Sequence, residues 1–395
     1  MRLRKDSMKK SKLKAFLQSR ALEYRAIDKF RAFRMYEKYK KHFKLNYTIQ
    51  IVGTNGKGST GRFLAQMLAN LGFNVGHFSS PHLFKFNERF FYKKRVAKDS
   101  ELESAHSELE AILGKDLQKL SYFEYATFLA AILFKNCDFV ILEAGLGGEY
   151  DATSVFKRKL SVFTRIDFDH TELLGDSLEK IARTKLKTMA KKAIISSKQE
   201  SEVLSLACKI ALLKNVNLAF DDELLSSSFK KEISNFIKKK NYANFLEQNL
   251  SLAVAALLKI VSKNEALRAL KKLEKLDLKG RLEQISKNLF IDVGHNENAA
   301  SAILEHFKGQ KINLIYNSFL DKDIFQILSK LKPIIDKIMI YEYESQRELA
   351  GQKIAEFALK LGIESENFKG LEAGKTHLVF GSFLLVENFL NHGLK

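Results

Sequence analysis

The chain has 395 residues, 46% of them hydrophobic, a length and composition that suit two globular domains and exclude a disordered or fibrous class. Sixty-six Lys and Arg against 46 Asp and Glu leave a net charge of +20, and residues 1 to 44 carry 16 basic against 4 acidic side chains, a surplus of 12. Cys137 and Cys208 lie far apart with no CxxC spacing, which argues against a disulfide framework or a thiolate metal site; both are expected to be buried, in a reducing compartment.

The basic opening MRLRKDSMKKSKLK has no apolar core of a signal peptide, and no run approaches the roughly 18 apolar residues of a spanning helix, so the chain reads as cytoplasmic and without a membrane partner. The basic surplus has three readings: an electrostatic footprint for nucleic acid, a field for anionic small substrates, or the solvated faces of lysine-rich helices. The last is favoured, because charge alone reports non-specific attraction and not a site.

From Tyr47 onward strand-like and helical patterns alternate. The β-branched run Tyr47 to Val52 leads into GTNGKGST, and Phe63, Leu64, Met67, Leu68 and Leu71 follow at helical spacing before Gly72 stops the helix. Glycines at such a strand-to-helix turn let backbone N–H groups approach a polyanion, where the helix terminus and Lys57 add positive charge. The spacing departs from the standard P-loop, since Gly53 and Gly56 are closer than that pattern requires and Gly58 separates Lys57 from Ser59.

Apolar runs at 74–78, 139–145, 160–166 and 193–197 read as buried strands, with helical segments such as YATFLAAILF between them. Continuous apolar strands alternating with helices predict a mostly parallel sheet covered on both faces. A second alternating set, NLFIDV, KINLIY, KIMIYEY and HLVF, begins after the charged stretch 270–280. The expected architecture is therefore α/β: a P-loop-type, mostly parallel sheet domain over 1–278, and a smaller Rossmann-like α/β domain over 279–395.

Ligands of parallel sheets gather at the carboxyl ends of strands. There the first domain offers Ser80 and His82 of HFSSPHL, Glu143 of FVILEAG with Asp151 beyond it, and Asp167, Asp169 and His170 after LSVFTRI. With Ser59 these supply a hydroxyl, a carboxylate and an imidazole around one edge, an oxygen-rich set of the kind Mg²⁺ takes together with phosphate oxygens.

Several stretches match a known family in order: IVGTNGKGST, SSPHLFKFNERF, SYFE, EAGLGGEYDAT, DFDHTELLGDSLEKIA, KGRLE, DVGHNENAA and DKD. They resemble the folylpolyglutamate synthase and dihydrofolate synthase family of the ATP-dependent Mur ligase superfamily. The resemblance covers about residues 47 to 323, and more loosely the C-terminus through VFGSFLLV.

It implies an amide ligase that uses ATP and Mg²⁺ to join L-glutamate to dihydropteroate or to reduced folates through an acyl phosphate, working as a monomer with no nucleic-acid partner. Under this resemblance Thr54, Asn55, Gly56, Lys57, Gly58 and Ser59 hold the nucleotide phosphates, and Ser59, Ser80, Glu143 and His170 hold magnesium. Asn249, Arg281, Asp292 and His295 contact ATP. Ser121, Tyr122, Phe123, Glu124, Tyr150, Asp151 and Ala152 fall on the folate side. Lys57, Lys185 and His170 take part in the chemistry, with Lys185 carbamylated to hold a second magnesium.

Three departures bear on this. TKLKT at 184–188 replaces the family's EKAGI, leaving a solvated basic helix face as the other reading of Lys185. Glu149 stands where the family carries arginine, and RMYEKYKKHFKLNYT lacks the usual glycine-leucine opening. A different Mur-type amino-acid ligase, or a basic P-loop protein that handles nucleic acid, shares the cradle and stays an alternative.

Overall fold

The computed structural model describes residues 11–20, 28–320 and 322–394. Most of the basic opening, 1–10, and Asp321 of the DKD stretch lie outside the described residues.

The first sheet contains β1 (Tyr47–Val52), β2 (Val75–Phe78), β3 (Phe90–Tyr92), β4 (Arg95–Val96), β5 (Phe139–Glu143), β6 (Leu160–Phe163), β7 (Lys192–Ile195) and β8 (Asn217–Phe220). Their spatial order is β4-β3-β2-β5-β1-β6-β7-β8. All pairings from β2 to β8 are parallel, while β3 and β4 add an antiparallel edge. Because β5 inserts between β2 and β1, and β6 lies on the far side of β1, crossovers leave in opposite directions around the end of β1, which is where a crevice opens.

The apolar runs are continuous because both faces are covered. On β5, Phe139 and Ile141 pack with the Lys57–Asn70 and Asn244–Leu258 helices. Val140 and Leu142, facing the other way, meet the Tyr122–Leu133 helix. Further along the sheet Val52, Phe163 and Ile195 are sealed by the Leu178–Leu186 and Ser201–Lys214 helices.

The second sheet contains β9 (Glu283–Ser286), β10 (Leu289–Asp292), β11 (Ile312–Tyr316), β12 (Ile335–Ile340), β13 (Glu364–Asn367) and β14 (His377–Phe380), in the order β13-β12-β11-β14-β10-β9. Only β9 runs antiparallel to its neighbour. Leu314 and Tyr316 of β11 point into one core and Ile315 into the other, so this sheet too is packed on both sides.

Cys137 is buried, as expected, but Cys208 is exposed on the Ser201–Lys214 helix, whose buried stripe runs through Val203, Leu206, Ala207 and Ile210. Among the described residues no helix is long and apolar enough to cross a membrane.

Candidate active site

The turn after β1 is shaped by two glycines. Gly53 (φ +158°) lies so close to Thr164 that any Cβ would collide with its hydroxyl, and Gly56 (φ +86°) is the left-handed N-cap of the Lys57–Asn70 helix, pressed against the Asn249 side chain. A side chain at either place would push the turn away from its neighbours.

Lys57 curls back over the turn, its Nζ donating to the carbonyls of Gly53 (3.2 Å) and Thr54 (3.0 Å). Thr54 is tied to the chain beyond β6: its hydroxyl donates to the Asp167 carbonyl (2.9 Å) and accepts from the Asp167 N–H (3.0 Å). Asn55 reaches the second lobe, where its Nδ2 donates to Asn296 Oδ1 (3.1 Å) and Asn298 Oδ1 (3.2 Å).

A cavity of about 250 Å³ opens at this turn, between the carboxyl ends of both sheets. From the first lobe it is lined by residues 53–59, Ser80, Glu143, His170, Lys185 and Asn249, and from the second by Arg281, Asp292 and His295. The structure therefore brings every expected nucleotide, metal and chemistry residue to one place.

Ser59 is 1% exposed and its hydroxyl has no hydrogen-bond partner. Glu143 is buried, and its carboxylate accepts the Ser80 N–H at 3.1 Å; burial pushes its pKa up, against the pull of the nearby Lys57 cation. An orphaned buried hydroxyl and a buried carboxylate lining the same cavity are a donor set suited to a hard cation. The described residues hold no ready cluster of three or more His, Cys, Asp or Glu, so the hydroxyls of Ser59 and Ser80 are needed to complete such a site.

His170 adopts a left-handed conformation (φ +50°) and is half exposed, with Nε2 3.7 Å from Asp169 Oδ2. Burial lowers its pKa, opposed by Asp169.

Lys185 corrects the solvated-face reading: it is 4% exposed and donates to the Gly53 carbonyl at 3.0 Å. Burial, aided by the Lys57 charge, lowers its pKa to about 7, so much of it is an uncharged amine at neutral pH. The solvent-facing role falls to Lys187, which pairs with Glu149 at 2.9 Å. The acid at the family's arginine position thus has a local partner.

In the second lobe Asp292, at the end of β10, accepts from the N–H groups of Leu282 (2.8 Å) and Gly294 (2.7 Å), and burial raises its pKa to about 6. The Arg281 guanidinium lies over the Phe383 ring at 5.2 Å. His295 Nδ1 stands 3.3 Å from the Val293 carbonyl, and the residue lines the cavity.

The seven residues expected on the folate side do not line this cavity. Ser121 caps the Tyr122–Leu133 helix by accepting from the Glu124 N–H, and Glu124 accepts from Ser121 N–H (2.8 Å) and Arg31 Nε (2.6 Å). Asp151 is buried, accepting from the N–H groups of Gly145, Leu146 and Thr153, while Ala152 and Tyr122 sit in the core. Phe123 reaches toward the cavity, its ring lying against Gly145, and Tyr150 is 41% exposed.

Sequence reasoning missed Arg165, Gln248, Asn298 and Phe383, all on the cavity wall. Asn298 had a signal, since it follows His295 by three residues at a helix N-terminus; Arg165 had none.

A glycine cradle at the switch point of a doubly covered parallel sheet, facing a second α/β lobe across a cavity, is the architecture of a nucleotide site, and the Mur ligase middle domain matches residues 51–259, which places the chain among the Mur ligases. The dihydrofolate synthase/folylpolyglutamate synthase of Haemophilus influenzae is 30% identical, over 87% of this chain and 88% of that one. Among solved structures, folylpolyglutamate synthetase from Helicobacter pylori is 42% identical, covering 96% of this chain and 97% of that one with a TM-score of 0.78. Escherichia coli FolC, solved in complex with DHPP and ADP, is 26% identical over 95% of each chain with a TM-score of 0.77. The chain belongs to the dihydrofolate synthase/folylpolyglutamate synthase family.

Proposed function

We propose that this protein is an ATP-dependent ligase that joins L-glutamate to dihydropteroate, to reduced folates, or to both. The observation that carries the reading is the meeting of Lys57, Ser59 and Glu143 from one lobe with Arg281, Asp292 and His295 from the other in a single cavity. The division of labour follows the lobes: residues 1–278 hold phosphates, metal and the folate, and residues 279–395 complete the nucleotide site.

The chemistry follows from the poor reactivity of a carboxylate toward amines. Transfer of the terminal phosphoryl group from ATP to the folate carboxylate breaks the phosphoanhydride bond, releases ADP and forms an acyl phosphate. The glutamate amine attacks its carbonyl, and collapse of the tetrahedral intermediate expels phosphate and leaves the amide.

Lys57 and the N–H groups of residues 55–59 bind the phosphates and oppose the charge on the transferring group. Arg281 and His295 orient the nucleotide from the far side, and apposition of the lobes keeps water from the acyl phosphate. Ser59, Ser80, Glu143 and His170 would hold Mg²⁺, which supplies charge neutralisation of the phosphates when bound.

The uncharged Lys185 amine is suited to capture CO₂: its nitrogen lone pair forms the N–C bond and the proton leaves to solvent. The resulting carbamate would offer oxygen atoms with which Lys185 could hold a second Mg²⁺. Of the folate-side residues, Phe123 and Tyr150 carry the aromatic rings on which a flat heterocycle would stack.

ADP release measured with dihydropteroate or tetrahydrofolate, each with and without glutamate, tests the reading. Release that needs both a folate acid and glutamate supports it; release driven only by a UDP-linked sugar peptide, or by RNA, overturns it.

A further inference from the structure

The helix that begins at Lys57 does a second job along its length. Residues 58, 62, 66 and 70 share one face, four apart, and that face carries the connection between the two sheets. Asn70 Nδ2 donates to the Lys272 carbonyl at 3.0 Å. One turn nearer the cavity, Gln66 Nε2 donates to the Lys275 carbonyl (3.2 Å) and to Asp277 Oδ1 (3.3 Å).

A turn further, Arg62 pairs with Asp277 Oδ1 at 2.8 Å. At the last step the Gly58 backbone faces Leu278 and the Arg281 guanidinium, which lie 3.7 and 3.8 Å from where a Cβ would stand. The connection thus runs along the helix toward the phosphate turn, one contact per turn.

Arg62 is costly for a linker contact. It is fully buried, its guanidinium lies 4.5 Å from the Phe91 ring centre, and its Nε donates to His77 Nδ1 at 3.2 Å. A buried cation needs a partner, and Asp277, on the connection itself, is the carboxylate paired with it. From the other side Tyr242 Oη accepts the Leu276 N–H at 2.8 Å, and Leu273 and Leu276 are buried in the first lobe's core. Everything up to Asp277 is fastened to the first lobe. Just beyond it come two left-handed residues, Gly280 (φ +68°) and Leu282 (φ +47°), and then β9.

We propose that Arg62 and Asp277 are positioning residues for nucleotide binding: by pinning the connection to the phosphate-turn helix they set where Arg281 enters the cavity, and they confine movement between the lobes to residues 279–282. The inference rests on the reading of the cavity as an ATP site.

The test is calorimetric ATP binding to the full chain and to Asp277→Asn, Asp277→Glu, Arg281→Ala and the Asp277→Asn/Arg281→Ala double variant. Acting through Arg281, Asp277→Asn weakens ATP by about tenfold, Asp277→Glu restores most of it, and the double variant binds no more than about twofold worse than Arg281→Ala alone. The KM for the folate acid stays unchanged.

Losses that multiply in the double variant, or unaltered ATP affinity in Asp277→Asn, overturn the proposal. If Asp277→Asn does not fold, Gln66→Ala, which removes the neighbouring contact to Asp277, takes its place under the same criteria. A wild-type chain that does not bind ATP at all would instead bring down the cavity reading, and this inference with it.

Discussion

Lys57 and Lys185 donate to the same acceptor: their Nζ atoms stand 3.2 and 3.0 Å from the Gly53 carbonyl oxygen. One is exposed enough to meet a phosphate and the other is sealed behind the turn. The Lys57 charge adds to burial in driving the proton off Lys185.

This gives the apo protein a pH-dependent weakness. Near pH 10.5 and above, folded and unfolded chains both hold Lys185 uncharged; as pH falls toward 7 the unfolded chain gains a proton that the folded chain resists, and stability is lost by roughly 1 kcal/mol per pH unit. Below pH 7 the loss is complete. Lys185→Met should therefore stabilise the protein more at pH 7 than at pH 10, measured by urea unfolding in CO₂-free buffer. An equal effect at both values would contradict the buried, uncharged amine.

Lys57→Ala should abolish turnover and leave the fold intact. Its ammonium meets two backbone carbonyls at the cavity and belongs to no apolar cluster, so thermal unfolding should shift by only a few degrees. Unchanged turnover would remove it from the phosphate site.

Ser59→Ala removes a buried hydroxyl that has no partner in the unliganded protein. Stability should hold or rise by up to about 1 kcal/mol, since a buried polar group without a hydrogen bond is a cost. Mn²⁺ affinity in the presence of a nonhydrolysable ATP analogue, followed by electron paramagnetic resonance, should fall by at least about tenfold. Destabilisation with intact metal affinity would assign the hydroxyl to the fold.

His295→Ala should mainly raise the KM for ATP. The residue lies on the second lobe's side of the cavity, next to the loop held by Asp292. A rise confined to the KM for the folate acid would place it elsewhere in the reaction.

The interior strands were legible in the sequence because burial on both faces makes them continuous apolar runs, as in FVILEAG and KINLIY. The strands that escaped are at edges. β13 reads ESEN and β9 reads EQIS, half-solvated and without an apolar period, and β4 is a two-residue hairpin arm.

The residues expected at the phosphates and the metal were legible as a group because they stand at strand ends within short motifs, and all of them line the cavity. Arg62 was not legible, since its partner Asp277 lies far along the chain on a linker with no motif of its own. The residues expected on the folate side stand apart from this cavity: SYFE and YDAT carry the motif, while Ser121, Glu124 and Asp151 spend their polar atoms on capping and turn contacts.

The central claim is that ATP is held between the lobes, and the most direct measurement is a crystal structure of the protein with a nonhydrolysable ATP analogue and Mg²⁺. The account predicts phosphates against Lys57 and the 54–59 turn, with Arg281 and His295 contacting the same nucleotide. A nucleotide bound outside that cavity, or touching only one lobe with Arg281 and His295 turned away, would contradict it.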